Sequence, residues 1–88
     1  MIEKKVKIVN RAGLHVRPAA NLVKIAAKYK SDFFIYRDGM EINGKSIIGV
    51  MTLVAAQGTE LVLKFDGPDE ENAAEDIINF FERGFDEV

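Results

Sequence analysis

The chain has 88 residues, 48% hydrophobic and 30% charged, which allows about 42 apolar side chains and one domain over residues 1–88. Its net charge is −2, without the clustered basic surplus that nucleic-acid binding needs. It holds no cysteine and a single histidine, His15, which excludes disulfides, thiolate nucleophiles and multi-histidine metal sites.

The elements follow in chain order. Met1 to Val6 lacks the apolar run of a signal peptide. Ile2 to Val9 alternates, with Ile2, Val6 and Ile8 on one face and Glu3, Lys5 and Lys7 on the other, which predicts a strand with one wet side. Arg11-Ala12-Gly13 reads as a turn. A helix is expected from about Val16 to Lys28, with Leu22, Ile25, Ala26 and Tyr29 on its apolar face. Pro18 fits its first turn, where a missing N–H is harmless. Phe33 to Arg37 and Met40 to Asn43 read as strands joined by an Asp38-Gly39 hairpin turn. Ser46 is a favoured N-cap for a short helix reaching about Val54. Glu60 to Asp66 alternates again. The last helix opens at Gly67-Pro68, carries Ala73, Ala74, Ile77, Ile78 and Phe81 as its apolar stripe, and stops at Gly84. Short connections and a hairpin predict an α+β two-layer sandwich on a mostly antiparallel sheet.

The longest run without a charge, residues 46–59, is 14 residues. A membrane-spanning helix needs about 20. A soluble cytoplasmic protein with no membrane insertion is expected.

His15 is the candidate centre of chemistry. It stands at a helix start, where unpaired N–H groups and the helix dipole favour anions and disfavour imidazolium. A neutral imidazole nitrogen is a nucleophile. Arg17, two residues on, offers a planar fork for phosphate oxygens. Nucleophile, arginine and helix start together suit reversible phosphoryl transfer. A lone histidine is more often merely structural, and only this setting lifts the functional reading above that one.

Gly13-Leu14-His15-x-Arg17-Pro18-Ala19-Ala20 resembles the active-site segment of the HPr family, the histidine phosphocarriers of the bacterial phosphotransferase system. Asn43-Gly44-Lys45-Ser46-Ile47-Ile48-Gly49-Val50-Met51 resembles that family's regulatory-serine segment, and the likeness covers essentially the whole chain. The resemblance implies β-α-β-β-α-β-α order, with three helices on one face of a four-stranded antiparallel sheet. It implies a stoichiometric carrier rather than an enzyme, with no cofactor and no metal. His15 would take a phosphoryl group on Nδ1 from phosphorylated enzyme I and pass it to an enzyme IIA-type domain for sugar uptake, with Arg17 steadying the phosphate. Val16 departs from the alanine more usual there.

Ser46 needs no role beyond the N-cap, yet a phosphoserine there would gain from the helix dipole. The resemblance implies regulatory phosphorylation by an HPr kinase/phosphorylase in some bacteria, with a transcriptional regulator as a further partner. Ile47, Ile48, Val50, Met51, Leu53 and Val54 leave the Ser46 helix almost no polar face. Val50, Leu53 and Val54 are expected to face the core. Ile47, Ile48 and Met51 are expected in an exposed docking patch, joined by Leu14, Val16 and Ala20. A working monomer is expected. The alternative function is regulation through protein binding, either Ser46-dependent catabolite signalling or a nitrogen-related branch, which the ending Arg83-Gly84-Phe85-Asp86-Glu87 resembles.

Gly39 to Ser46 also satisfies the phosphate-loop pattern G-x-x-x-x-G-K-[ST]. The alternation of Met40 and Ile42 after Asp38-Gly39 reads as a hairpin instead. Too few strands remain for a parallel nucleotide-binding sheet.

Overall fold

Alternation in the strands decides which side of the sheet meets the helices. The computed structural model describes residues 1–87. Its elements are β1 (Ile2–Lys7), α1 (Val16–Ala26), β2 (Asp32–Arg37), β3 (Met40–Asn43), α2 (Ile47–Met51), β4 (Glu60–Asp66), α3 (Glu70–Glu82) and a single 3₁₀ turn, Gly84–Asp86. The strands form one sheet in the order β1-β4-β2-β3, antiparallel throughout.

The register stacks apolar partners on one face. Val6 lies opposite Leu61, Ile35 lies between Leu63 and Ile42, and Phe33 lies opposite Phe65. All of these are buried. The Phe33 and Phe65 rings stack at 4.9 Å, a pairing that contributes about 0.5–1.5 kcal/mol beyond area burial. The opposite face carries Glu3, Lys64 and Tyr36. Lys64 pairs with Glu3 at 3.3 Å and lies 4.2 Å from the Tyr36 ring centre. This is the expected open-faced sandwich.

Boundaries differ where the chain tightens. β1 ends at Lys7 rather than Val9, but Ile8 stays tied to the loop before β4 through Thr59 O at 2.9 Å. α1 ends at Ala26: Ala27 N–H still reaches back four residues to Val23 O at 2.9 Å, but the amides after it reach back only three, Lys28 N–H to Ile25 O at 3.1 Å and Tyr29 N–H to Ala26 O at 3.2 Å. α2 ends at Met51 in the same way, with Leu53 N–H on Val50 O at 3.2 Å. The Asp38-Gly39 turn has φ of 48° and 81°, the two positive values of a type I′ hairpin. The Gly39–Ser46 segment is therefore spent on a hairpin and the entry to α2, not on an open phosphate loop.

α3 opens at Glu70 rather than at Gly67. Asp69, just before it, accepts bonds from the Lys30 and Ser31 amides at 2.9 Å and from the Ser31 hydroxyl at 2.5 Å. Led by the Ser31 hydroxyl, these bonds hold its carboxyl down at about 2. A carboxylate held below its unfolded value stabilises the fold above that value, and this stability is lost as pH falls toward 2. Asp69→Asn is expected to lower the urea midpoint at neutral pH, with the gap from the parent narrowing between pH 4 and pH 2. An equal gap at both ends would contradict this role.

Phe80 is buried, outside the stripe the periodicity marks. Phe85 folds back to meet it, with ring centres 5.3 Å apart, and meets Phe81 at 5.0 Å. That return places Glu87 beside the loop before α1.

Candidate functional site

Gly13 sets the entry to α1. Its φ is +74°, and a Cβ there would lie 2.5 Å from Ala55 O. The close approach lets Leu14 N–H donate to Ala55 O at 2.8 Å. His15 follows as N-cap in extended conformation, and its carbonyl receives the Ala19 amide at 3.0 Å. Its side chain makes no capping bond and stays free for other work. Pro18, in the first turn, is buried.

The imidazole is held from one side only. Among the described residues its hydrogen bonds are made through Nε2, to Glu87 Oε1 at 3.1 Å and Oε2 at 3.0 Å. Glu87 is held in turn by Asn10, whose Nδ2 donates to Glu87 Oε1 at 2.8 Å and to Gly13 O at 2.9 Å. Asn10 is itself buried. A carboxylate can only accept a hydrogen bond, so Nε2 donates its N–H to Glu87 and the lone pair is left on Nδ1.

His15 stands between two surfaces. On one side is a polar cleft to which Arg11, Arg17, Asn21 and Glu87 contribute. On the other is an apolar groove that includes Val16, Met51, Val54 and Ala55. The site thus combines a nitrogen nucleophile, two arginines and a helix start with an apolar shelf alongside. That combination can receive a dianionic phosphoryl group presented by another protein. Among the described residues no group of three His, Cys, Asp or Glu side chains comes together.

A family model described as the PTS HPr component phosphorylation site matches residues 2–83. The chain belongs to the HPr family. The phosphocarrier protein HPr of Treponema pallidum is 44% identical over 87 residues, 99% of this chain and 99% of its own. The crystal structure of an HPr from Thermoanaerobacter tengcongensis superposes with a TM-score of 0.95 at 39% identity, covering 100% of this chain and 99% of that one. The structure of the Bacillus subtilis catabolite-repression protein Crh, a dimer with a swapped domain, matches at a TM-score of 0.77 and 38% identity, covering 96% and 97%. The expected open-faced sandwich is thus the fold of HPr relatives.

The structure sorts the expected HPr-type docking residues. Ile48 is 75% exposed and Val16 58%, while Ile47 and Met51 are also exposed. Ala20 is half-buried. Leu14 is only 4% exposed, because the Gly13 turn points it into the core. It anchors the turn rather than presenting a surface. Ser46 caps α2 as expected, its Oγ accepting from Gly49 N–H at 3.2 Å.

Val54 reverses its expectation. It is 79% exposed, with φ of +44°, a region that disfavours side chains branched at Cβ. The Arg37 guanidinium binds the carbonyls of Leu53 and Val54 and holds the turn in place. Val54→Gly is expected to stabilise the fold by about 0.5–1 kcal/mol, since glycine relieves the left-handed strain at some cost in chain entropy. A urea midpoint below the parent's would show that Val54 is not strained there.

Asn10, Arg11 and Glu87 complete the site, and no motif in the sequence marks them. Arg11 stands in the sequence only as part of a turn. Glu87 lies 72 positions from His15, and no periodic signal connects them.

Proposed function

We propose that this chain carries phosphoryl groups on His15 Nδ1, accepting them from phosphorylated enzyme I and passing them to an enzyme IIA-type domain in sugar uptake. One observation carries the reading: Nε2 is engaged by Glu87, so Nδ1 is the nitrogen with a lone pair to offer, at a helix start beside Arg17. In the forward step the Nδ1 lone pair forms a bond to phosphorus as the bond between phosphorus and the donor atom breaks. The donor keeps that electron pair, and the proton on Nε2 stays. Arg17 and the first amides of α1 face charge on the phosphoryl oxygens. Val16, Ala20, Ile47, Ile48 and Met51 supply the surface on which the larger proteins seat.

Incubation with enzyme I and phosphoenolpyruvate tests this. The expected product is one phosphate per chain, labile in acid and stable in alkali. Absence of label, or an alkali-labile phosphate only, defeats the proposal.

A second reading is favoured by the likeness to Crh together with the geometry of Ser46. Phosphorylation there by an HPr kinase/phosphorylase would add about −1.5 to −2 charges beside Ile47, Ile48 and Met51. The chain would then signal to a transcriptional regulator rather than feed transport. Pull-downs with sugar-branch and nitrogen-branch IIA domains, each with and without phosphate on Ser46, separate the readings. For the carrier reading a single copy suffices, since one chain supplies Asn10, His15, Arg17 and Glu87 together. A swapped dimer like that of Crh would show in sedimentation as double the mass.

A further inference from the structure

The geometry points to Glu87 as a positioning residue for His15, oriented from below by buried Asn10. The inference rests on the reading of His15 as phosphoryl acceptor and assigns what prepares that nitrogen.

Three observations carry it. Both Glu87 carboxylate oxygens lie within 3.1 Å of Nε2. Glu87 Oε1 is pinned at 2.8 Å by Asn10 Nδ2, and Asn10 is buried and braced on the Gly13 carbonyl at 2.9 Å. Finally, the Phe85 ring, buried against Phe80 and Phe81, fixes the backbone two residues before Glu87. The carboxylate is therefore delivered by packing, and it is aimed by a buried side chain held at both ends of its amide NH₂.

A carboxylate has only acceptors to offer, so Nε2 must carry the proton. The Nε2–H tautomer leaves Nδ1 unprotonated and ready to attack. As the bond from Nδ1 to phosphorus forms, the ring acquires positive charge, and the donor atom leaves with its electron pair. The Nε2 proton is retained, held on the ring by Glu87. A negative group already in place opposite that developing charge needs no reorganisation during transfer. The α1 dipole disfavours a cationic ring, and Glu87 offsets this on the far nitrogen while leaving the Nδ1 side open to an incoming anion.

Two readouts test the assignment. Nitrogen-15 NMR of the His15 ring, on unphosphorylated protein without donor, reports the tautomer. The parent is expected as the Nε2–H form, and Glu87→Ala is expected to relax toward the mixture of a free imidazole. Glu87→Gln is expected to retain Nε2–H, because Asn10 Nδ2 turns the amide oxygen inward as the acceptor. The second readout is the rate of phosphorylation by enzyme I. Glu87→Ala is expected to slow it about tenfold at saturating enzyme I, with KM unchanged, and Glu87→Gln to recover part of the loss. An unchanged tautomer in Glu87→Ala, an unchanged rate, or a loss confined to KM overturns the role. If parent His15 takes no phosphate, the acceptor reading fails by itself, while the NMR result still stands or falls independently.

Discussion

His15→Ala is expected to abolish phosphate uptake, a drop of at least about 10⁴-fold, with stability changed by less than about 1 kcal/mol. The first effect is large because in the proposed function the nitrogen is itself the acceptor atom, and the sequence holds no second histidine to take its place. The second is small for structural reasons. The His15 side chain makes no capping bond, and its hydrogen bond to Glu87 is partly solvated. The helix start depends on the His15 carbonyl, which alanine keeps. Mass spectrometry after incubation with enzyme I and phosphoenolpyruvate, beside a urea curve, checks both. Uptake that survives in a folded variant would place the acceptor elsewhere.

Gly13→Ala is expected to damage fold and transfer together. A side chain at φ +74° costs about 1–2 kcal/mol. The new Cβ would lie 2.5 Å from Ala55 O, so the two backbones must separate. The bond from Leu14 N–H to Ala55 O is then lost, about 1 kcal/mol more. The combined expectation is a loss of about 2–3 kcal/mol. The same separation shifts His15 against Arg17 and Glu87. A displacement near 1 Å lowers phosphorylation about 10²-fold. Gly39→Ala is the matched control, because its φ is +81° but nothing lies within 4 Å of its Cβ. It should weaken the fold by the conformational cost alone and leave the phosphorylation rate intact. Equal rate losses in the two variants would mean that stability, not placement, governs the Gly13 effect.

Much of this molecule is local, and local features are legible in a linear chain. The alternation of Ile2, Val6 and Ile8, and of Leu61, Leu63 and Phe65, determined which strand faces are buried. Asp38-Gly39 determined the hairpin, since few residue pairs accept two positive φ values. The segment from Gly13 to Ala20 holds histidine, arginine and helix start within eight positions, so the candidate site was local before the fold.

Tertiary structure decided what lies around those segments. Periodicity reports the sidedness of one element, but not which distant loop closes over its end. Leu14 reads as surface from its neighbourhood to His15, yet the Gly13 turn aims it inward. Val54 reads as core from the apolar run after Ser46, yet α2 ends at Met51 and the next turn swings it outward. Phe80 is buried, and Phe85 returns to pack against it. The same return carries Glu87 across 72 positions to His15 Nε2. The choice between the two imidazole nitrogens therefore belongs to packing at the far end of the chain, since a tautomer is set by the hydrogen bond the other nitrogen makes.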